Sequence, residues 1–317
     1  MQKTSVYLPE TLKQGLTDAA RRTGRSEADF IRSAIESAVD QNRKGSTVMA
    51  EVVPKITGPL LIGVGMGPGP SDLVAARAIA SIHQADYVVA GSIGTDAIGR
   101  AEAIARAAVG PVRVDRLAID IADRPERRKQ SLDAAADRLV EHLDRGEVVA
   151  FLTLGDPNMF SIFPTIADAI RQRRPGMPVT SVPGIMAFQE LAARSNVVIA
   201  EEGESVRIVA VGRDLADQQG RIDDSVARDD ETLVLYRGGR SVPMITGLLT
   251  DAKRTDTAVV GELLGQPGER ISPATEFADR SASYLACLVA PARRVCAPSH
   301  EISQDLRDSV TRDGADS

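Results

Sequence analysis

The chain contains no tryptophan, and aromatic residues make up 3% of its 317 positions. A platform that stacks single-stranded bases needs more rings than that, so such a role is disfavoured. Cysteine is nearly absent. Cys287 and Cys296 are the only two, and they form neither a disulfide framework nor a metal-ligand spacing. Such cysteine usage suits a reducing cytoplasm. The three histidines, His83, His142 and His300, are too scattered for a histidine-built metal site. No apolar run reaches the ~18 residues of a membrane span, and residues 1–10 lack an apolar signal core. A cytoplasmic protein with no membrane attachment is expected. Excess positive charge is missing too: 38 basic residues face 44 acidic ones, a formal net charge of -6. That balance excludes a chain coated with nucleic acid along its length, though a local basic patch can survive it.

What remains is the composition of a soluble globular protein, 43% hydrophobic and 26% charged. The length allows about two or three domains. Residues 1–44 read as a unit of their own. Lys3 to Leu8 alternates, with Thr4, Val6 and Leu8 on one face and Lys3, Ser5 and Tyr7 on the other, the period of a strand. Pro9 ends it. A helix fits Glu10 to Arg22, Gly24 supplies a turn, and Ser26 with Asp29 three residues on forms a capping box for a second helix burying Phe30, Ile31, Ala34, Ile35 and Ala38.

One strand and two helices of this length cannot enclose a core, so a homodimer is expected. The segment resembles the ribbon-helix-helix family, whose members pair their strands into a ribbon that enters the DNA major groove. The resemblance implies that Lys3, Ser5 and Tyr7 face base edges and that the amides near Ser26 hold a phosphate. Eight basic residues against six acidic ones in 1–44 lend this a small surplus of positive charge. A dimerisation arm that touches no DNA fits the same residues. Residues 45–56 are a polar linker, and 296–317 an acidic tail poor in apolar residues.

The main body, 57–295, alternates short apolar runs with helical segments. Strands are expected at 60–64, 87–90, 111–114 and 148–152, with helices over 72–83, 93–107, 124–145 and 163–173. After Arg174-Pro175-Gly176 a second set follows: strands at 179–182, 206–211, 232–236, 257–260 and 282–289, and helices over 185–194 and 242–252. This is the α/β pattern of a largely parallel sheet with helices on both faces. It divides into two α/β domains, 57–177 and 178–295, with a ligand cleft between them outside the carboxyl ends of the strands.

Three glycine-punctuated loops fall at strand ends. Gly63-Val64-Gly65-Met66-Gly67-Pro68-Gly69-Pro70 follows the first strand. Its prolines stiffen it, and the acid that should close the second strand of a dinucleotide fold is absent there, with Asp86 standing at that strand's beginning. The second loop, Leu154-Gly155-Asp156-Pro157-Asn158-Met159-Phe160-Ser161-Ile162-Phe163, follows the fourth strand. Glycine there permits close approach of a ligand, and the aspartate can accept hydrogen bonds or simply cap the next segment. Val182-Pro183-Gly184-Ile185-Met186-Ala187 is the third.

In this order and at these positions the three loops resemble the tetrapyrrole (precorrin) methyltransferase family, over nearly all of 59–291. Within it, the stretch 155–163, the segment Leu235-Tyr236-Arg237-Gly238-Gly239-Arg240-Ser241-Val242-Pro243 and the run from Glu262 to Glu269-Arg270-Ile271 follow the pattern of the precorrin-2 C20-methyltransferases. The resemblance implies transfer of a methyl group from S-adenosylmethionine to a tetrapyrrole carbon in cobalamin biosynthesis. By residue-wise carry-over, Gly65, Gly67, Pro68, Leu154, Gly155, Asp156, Met159, Met186, Ala187, Arg237 and Leu264 would contact the cofactor. Phe160, Ser161 and Arg240 would contact the substrate, whose carboxylates call for cations such as Arg237, Arg240 or Arg270. Each of these arginines can equally be a solvated surface charge. The chain departs from the family pattern at Pro70, Ala75, Phe160 and Ala187, which stand where Asp, Thr, Tyr and Ser are usual. A different reading of the same pairing of segments is a DNA-binding regulator whose methylase body senses adenosylmethionine or a tetrapyrrole.

Overall fold

The computed structural model describes residues 9–24, 26–33, 55–92, 98–120, 125–211 and 216–294. The expected strand at 3–8, with Lys3, Ser5 and Tyr7, lies outside these residues, as does the tail 296–317. Helix α1 (Glu10–Thr23) ends at Gly24, whose φ of 65° is the left-handed conformation a helix C-cap favours. Residues 27–33 are helical. At their start the Asp29 amide donates to Ser26 Oγ at 3.1 Å, so Ser26 is an N-cap as its spacing suggested.

The body holds two five-stranded sheets. The first contains β1 (Leu60–Gly65), β2 (Tyr87–Ser92), β3 (Asp115–Ala118), β4 (Val148–Thr153) and β5 (Val179–Val182). They run in the order β3-β2-β4-β1-β5, and every pairing is parallel. Helices α2 (Ala76–Gln84) and α3 (Arg100–Val109) cover one face, α4 (Pro125–Asp144) and α5 (Phe163–Arg173) the other. The period-two alternation divides β1 between them. Ile62 and Val64 pack with Ala78, Ile82 and Ile104, whereas Leu61 joins Leu139, Phe151 and Ile166. Gly63 on that second face leaves room for the Phe163 ring, which a Cβ would meet at 2.5 Å. The phenylalanine that ends the stretch 155–163 is therefore a packing residue, buried where α5 starts over β1.

The second sheet contains β6 (Ser205–Ala210), β7 (Glu231–Tyr236), β8 (Val259–Glu262), β9 (Arg270–Pro273) and β10 (Cys287–Ala290), in the order β6-β7-β10-β8-β9. Helices α7 (Ala216–Val226) and α8 (Val242–Asp251) cover one face. Helix α6 (Ala187–Ser195) seals the other through Leu191, against Val234, Leu264 and Val289.

Three expectations need correction. The second sheet is mixed: only β6 and β7 are parallel, while β10 runs antiparallel to β7 and β8, and β8 to β9. A helical crossover, α7, joins the parallel pair, whereas β8 turns directly into antiparallel β9 through residues 263–269, and β10 enters between β7 and β8 running against both. The strand Val179–Val182, grouped above with the second half, pairs with β1 at the edge of the first sheet. The third strand begins at Asp115, after Pro111, because Gly110 closes α3 with φ 80° and a proline has no amide for the ladder. Helix α7 and strand β9 carry too little apolar periodicity to stand out in the sequence.

Candidate functional site

The loops after β1, β4 and β5 meet at three glycines. A Cβ on Gly65 would lie 2.5 Å from the Gly184 amide nitrogen and 2.7 Å from the Gly155 carbonyl oxygen, and one on Gly184 would collide with that same carbonyl. Only bare backbone fits. Two further contacts hold the junction. The Gly155 amide donates to the Gly67 carbonyl at 2.8 Å, in an isolated antiparallel bridge. Asp156 Oδ1 accepts from the Asn158 amide at 2.8 Å, and its Oδ2 from the Gly184 amide at 3.0 Å. The first loop also abuts the second half of the chain. A Cβ on Gly69 would strike the Leu264 carbonyl, and one on Gly265 would lie 2.5 Å from Pro70 Cδ.

In front of this junction, outside the carboxyl ends of the parallel strands, lies a cleft of about 290 Å³. Of the residues singled out from sequence, it is lined by Pro68, Leu154, Gly155, Met159, Phe160, Ser161, Met186, Ala187, Arg237 and Leu264. Gly65, Gly67 and Asp156 stand behind that lining, occupied with the loop contacts just described. Arg240 is exposed in a 3-10 turn (Gly239–Ser241) and does not line the cleft. Arg270 reaches Glu276 and the Ser272 hydroxyl on the second sheet, away from the cleft.

The cleft wall is mostly apolar, and among the described residues no carboxylate or imidazole lines it. Two strained residues frame its mouth. Phe160 (φ 52°) and Arg237 (φ 61°) both occupy the left-handed region, uncommon for residues with a Cβ. The Arg237 guanidinium donates to the Phe160 carbonyl at 2.7 Å, joining the loop after β4 to the loop after β7. Phe160 keeps 41% of its surface exposed.

The structure adds lining residues that were not named as site residues: Gly91, Arg100, Thr153 and Leu285 among them, and Tyr236 within a motif already quoted. The Tyr236 hydroxyl accepts a hydrogen bond from the Phe188 amide at 2.9 Å, and its ring lies 5.8 Å from that of Phe160. Burial pushes the phenol pKa far above its ordinary value, so the group stays protonated. Tyr236 stands beside Arg237 in a segment already singled out, so that segment was a signal for it. Arg100 had none, since it falls inside a stretch that reads only as helix.

Residues 60–278 match the family described as Tetrapyrrole (Corrin/Porphyrin) Methylases. The chain is 27% identical over 240 residues to the precorrin-2 C(20)-methyltransferase of Sinorhizobium sp, covering 73% of this chain and 94% of that one. It is 28% identical over 217 residues to the cobalt-precorrin-2 C(20)-methyltransferase of Salmonella typhimurium, covering 66% and 86%. A siroheme synthase of Zymomonas mobilis matches at 27% over 201 residues, 63% of this chain but 40% of that longer one. Among solved structures, a cobalt precorrin-4 methyltransferase shares the fold with a TM-score of 0.54 at 18% identity, covering 73% of this chain and 94% of the other. The glycine junction, the cleft before it and the match across both sheets lead to one statement: the chain belongs to the tetrapyrrole methylases, a family that uses S-adenosyl-L-methionine as methyl donor.

Proposed function

We propose that this protein methylates precorrin-2 or its cobalt form at C20. The observation that carries the reading is the convergence of three glycine loops and the side chains of Met159, Met186 and Leu264 on one cleft. The matches to two C20-methyltransferases, over 94% and 86% of their lengths, and the stretch 155–163 support the acceptor and the position.

The lining suits the methyl donor. Gly155, at φ 68°, leaves a strip of bare backbone, and a Cβ there would sit 3.2 Å from Met186 Sδ and fill it. Leu154, Met159, Met186 and Leu264 would hold the apolar parts of S-adenosylmethionine, with loop carbonyls to meet its positive groups. When bound, the donor supplies an already activated methyl group on a sulfonium. The protein's own residues then have three tasks. They hold the acceptor carbon in line with that methyl, an orientation worth up to ~7–11 kcal/mol. They keep water out through Phe160, Ile162 and Leu285. They also leave the proton displaced from the acceptor carbon to solvent or to the acceptor's own carboxylates, since no described residue of the cleft lining is a side-chain base.

Purified protein incubated with S-adenosylmethionine and precorrin-2 should give a product heavier by one methyl group, with the new carbon located at C20 by isotope-labelled NMR. Unchanged substrate in the presence of bound cofactor would remove the acceptor from the reading.

A second reading concerns residues 1–44. The α1–Gly24–Ser26 arrangement, a helix, a left-handed cap and a newly capped helix, supports a ribbon-helix-helix arm that pairs two copies of the chain and takes DNA. Light scattering should then give a dimer. Footprinting should show protection of the protein's own promoter, lost in a Lys3→Ala, Tyr7→Ala double variant. Protection that persists without residues 1–44 would exclude this arm as the DNA contact.

A further inference from the structure

Among the described residues, two cations line the cleft, Arg100 and Arg237, and no acid lines it with them. Arg237 is engaged with the Phe160 carbonyl. Arg100 makes no hydrogen bond or ion pair with any described residue. The nearest acid on its own helix, Glu102, is already held by Arg106 at 2.9 Å and by Arg116 at 2.6 Å.

Arg100 is also the first residue of α3, following a Gly99 N-cap that offers no side chain. A helix N-terminus carries partial positive charge, so a cation there is unfavourable to the helix. Burial adds to the cost and lowers the guanidinium pKa, with no acid among the described residues to offset it. A half-buried cation at the positive end of a helix, unpaired with any described residue, is unfavourable to the fold on both counts. What it lacks is an anion, and the cleft is where one can reach it.

Its place in the sheet order says which anion. The loops after β1 and β5 supply the apolar and glycine wall (Pro68, Met186, Ala187), whereas Gly91, Arg100 and Ala101 line the cleft from β2 and α3, on the opposite side of β4. We propose that Arg100 anchors a peripheral carboxylate of the tetrapyrrole acceptor and so selects for polycarboxylate acceptors, while the methyl donor occupies the β1/β5 side. This assignment rests on the methyltransferase reading above. A guanidinium suits the task because it meets a carboxylate through two parallel N–H donors and stays charged at any working pH.

The test uses the full chain with Arg100→Gln and Arg100→Lys, two probes and turnover of precorrin-2. S-adenosylhomocysteine binding is read by calorimetry, and binding of uroporphyrin III, a stable octacarboxylate, by fluorescence. Arg100→Gln should raise the Kd for uroporphyrin and the KM for precorrin-2 by at least about tenfold, the scale of a lost charge-assisted pair. It should leave S-adenosylhomocysteine affinity within about twofold, which also shows the cleft is folded. Arg100→Lys should recover part of the loss, and the salt dependence of uroporphyrin binding should flatten in Arg100→Gln. Unchanged uroporphyrin binding and KM in Arg100→Gln, beside an active wild type, would overturn the anchor alone. An equal loss of S-adenosylhomocysteine affinity would overturn it by moving Arg100 to the donor's side. A wild type that binds S-adenosylhomocysteine but neither binds uroporphyrin nor methylates precorrin-2 would end the functional reading and the anchor with it.

Discussion

The carboxylate of Asp156 accepts a 3.0 Å hydrogen bond from the amide of Gly184, tying the loop after β4 to the loop after β5. The aspartate of the Gly-Asp-Pro sequence thus shapes the wall of the cleft from behind. Asp156→Ala leaves the Asn158 and Gly184 amides without this partner, at a cost of roughly 1–3 kcal/mol. Urea denaturation should register that loss, and calorimetry should show S-adenosylhomocysteine affinity falling by about tenfold or more as the loops separate. An affinity unchanged by the substitution would show that the loops hold without the carboxylate.

Gly184→Ala tests the same junction sterically. Its new Cβ would collide with the Gly155 carbonyl, a backbone atom that cannot step aside. Cofactor binding should be lost in calorimetry. Gly176→Ala serves as the control, since nothing lies within 4 Å of a Cβ there. Its positive φ should cost roughly 1–2 kcal/mol and leave binding intact.

Arg254 is 3% exposed, and its guanidinium donates to the carbonyls of Ser225, Val226, Arg228, Glu231, Ala290 and Pro291. Burial lowers its pKa without discharging it, because so many carbonyls receive the cation. It fastens the end of α7 and the start of β7 to the end of β10. Arg254→Met strands those carbonyls and should destabilise the protein by about 3–5 kcal/mol in urea denaturation. KM values of the protein that remains folded should not move, as Arg254 does not line the cleft.

Glu102 sets an acid limit on stability. Its buried carboxylate is held below the ordinary value of 4.5, first by the hydrogen bond from Arg116 and then by Arg106, against the opposing effect of burial. A carboxylate with a lowered folded pKa stabilises the protein above its unfolded pKa and loses that contribution as pH falls through the folded value. Urea midpoints measured from pH 6 to pH 3 should therefore drop below about pH 4.5. In Glu102→Gln the midpoint should start lower at pH 6, and its fall with acid should be shallower.

Much of the first sheet was readable in advance because its strands are short apolar runs closed by glycine or proline. These signals place helix α5 at 163–173 and strand β5 at 179–182, and both stand there. The partner of β5 was not readable. Strand pairing depends on where the chain travels after Arg174-Pro175-Gly176, and no local residue records that β5 returns to lie beside β1. The antiparallel pairings of the second sheet escaped for a related reason. A buried strand such as Cys287–Ala290 carries the same apolar run whichever way its neighbours run.

The site divides in the same manner. Gly65, Gly155 and Gly184 mark their loops in the sequence because glycine is conspicuous wherever it punctuates a strand end. That all three touch, and that Asp156 binds backbone while Pro68, Met159 and Met186 face the cleft, follows from the crossing of three loops in space. Arg100 is the limiting case. Along the chain it is one charged residue in an ordinary helix, and its meaning comes from having no acid as a partner among the described residues. Local order thus decided which segments become strand, helix or turn, because steric and hydrophobic preferences act over a few residues. Tertiary packing alone decided which charges are satisfied and which still need a ligand, because that depends on every group the fold brings near.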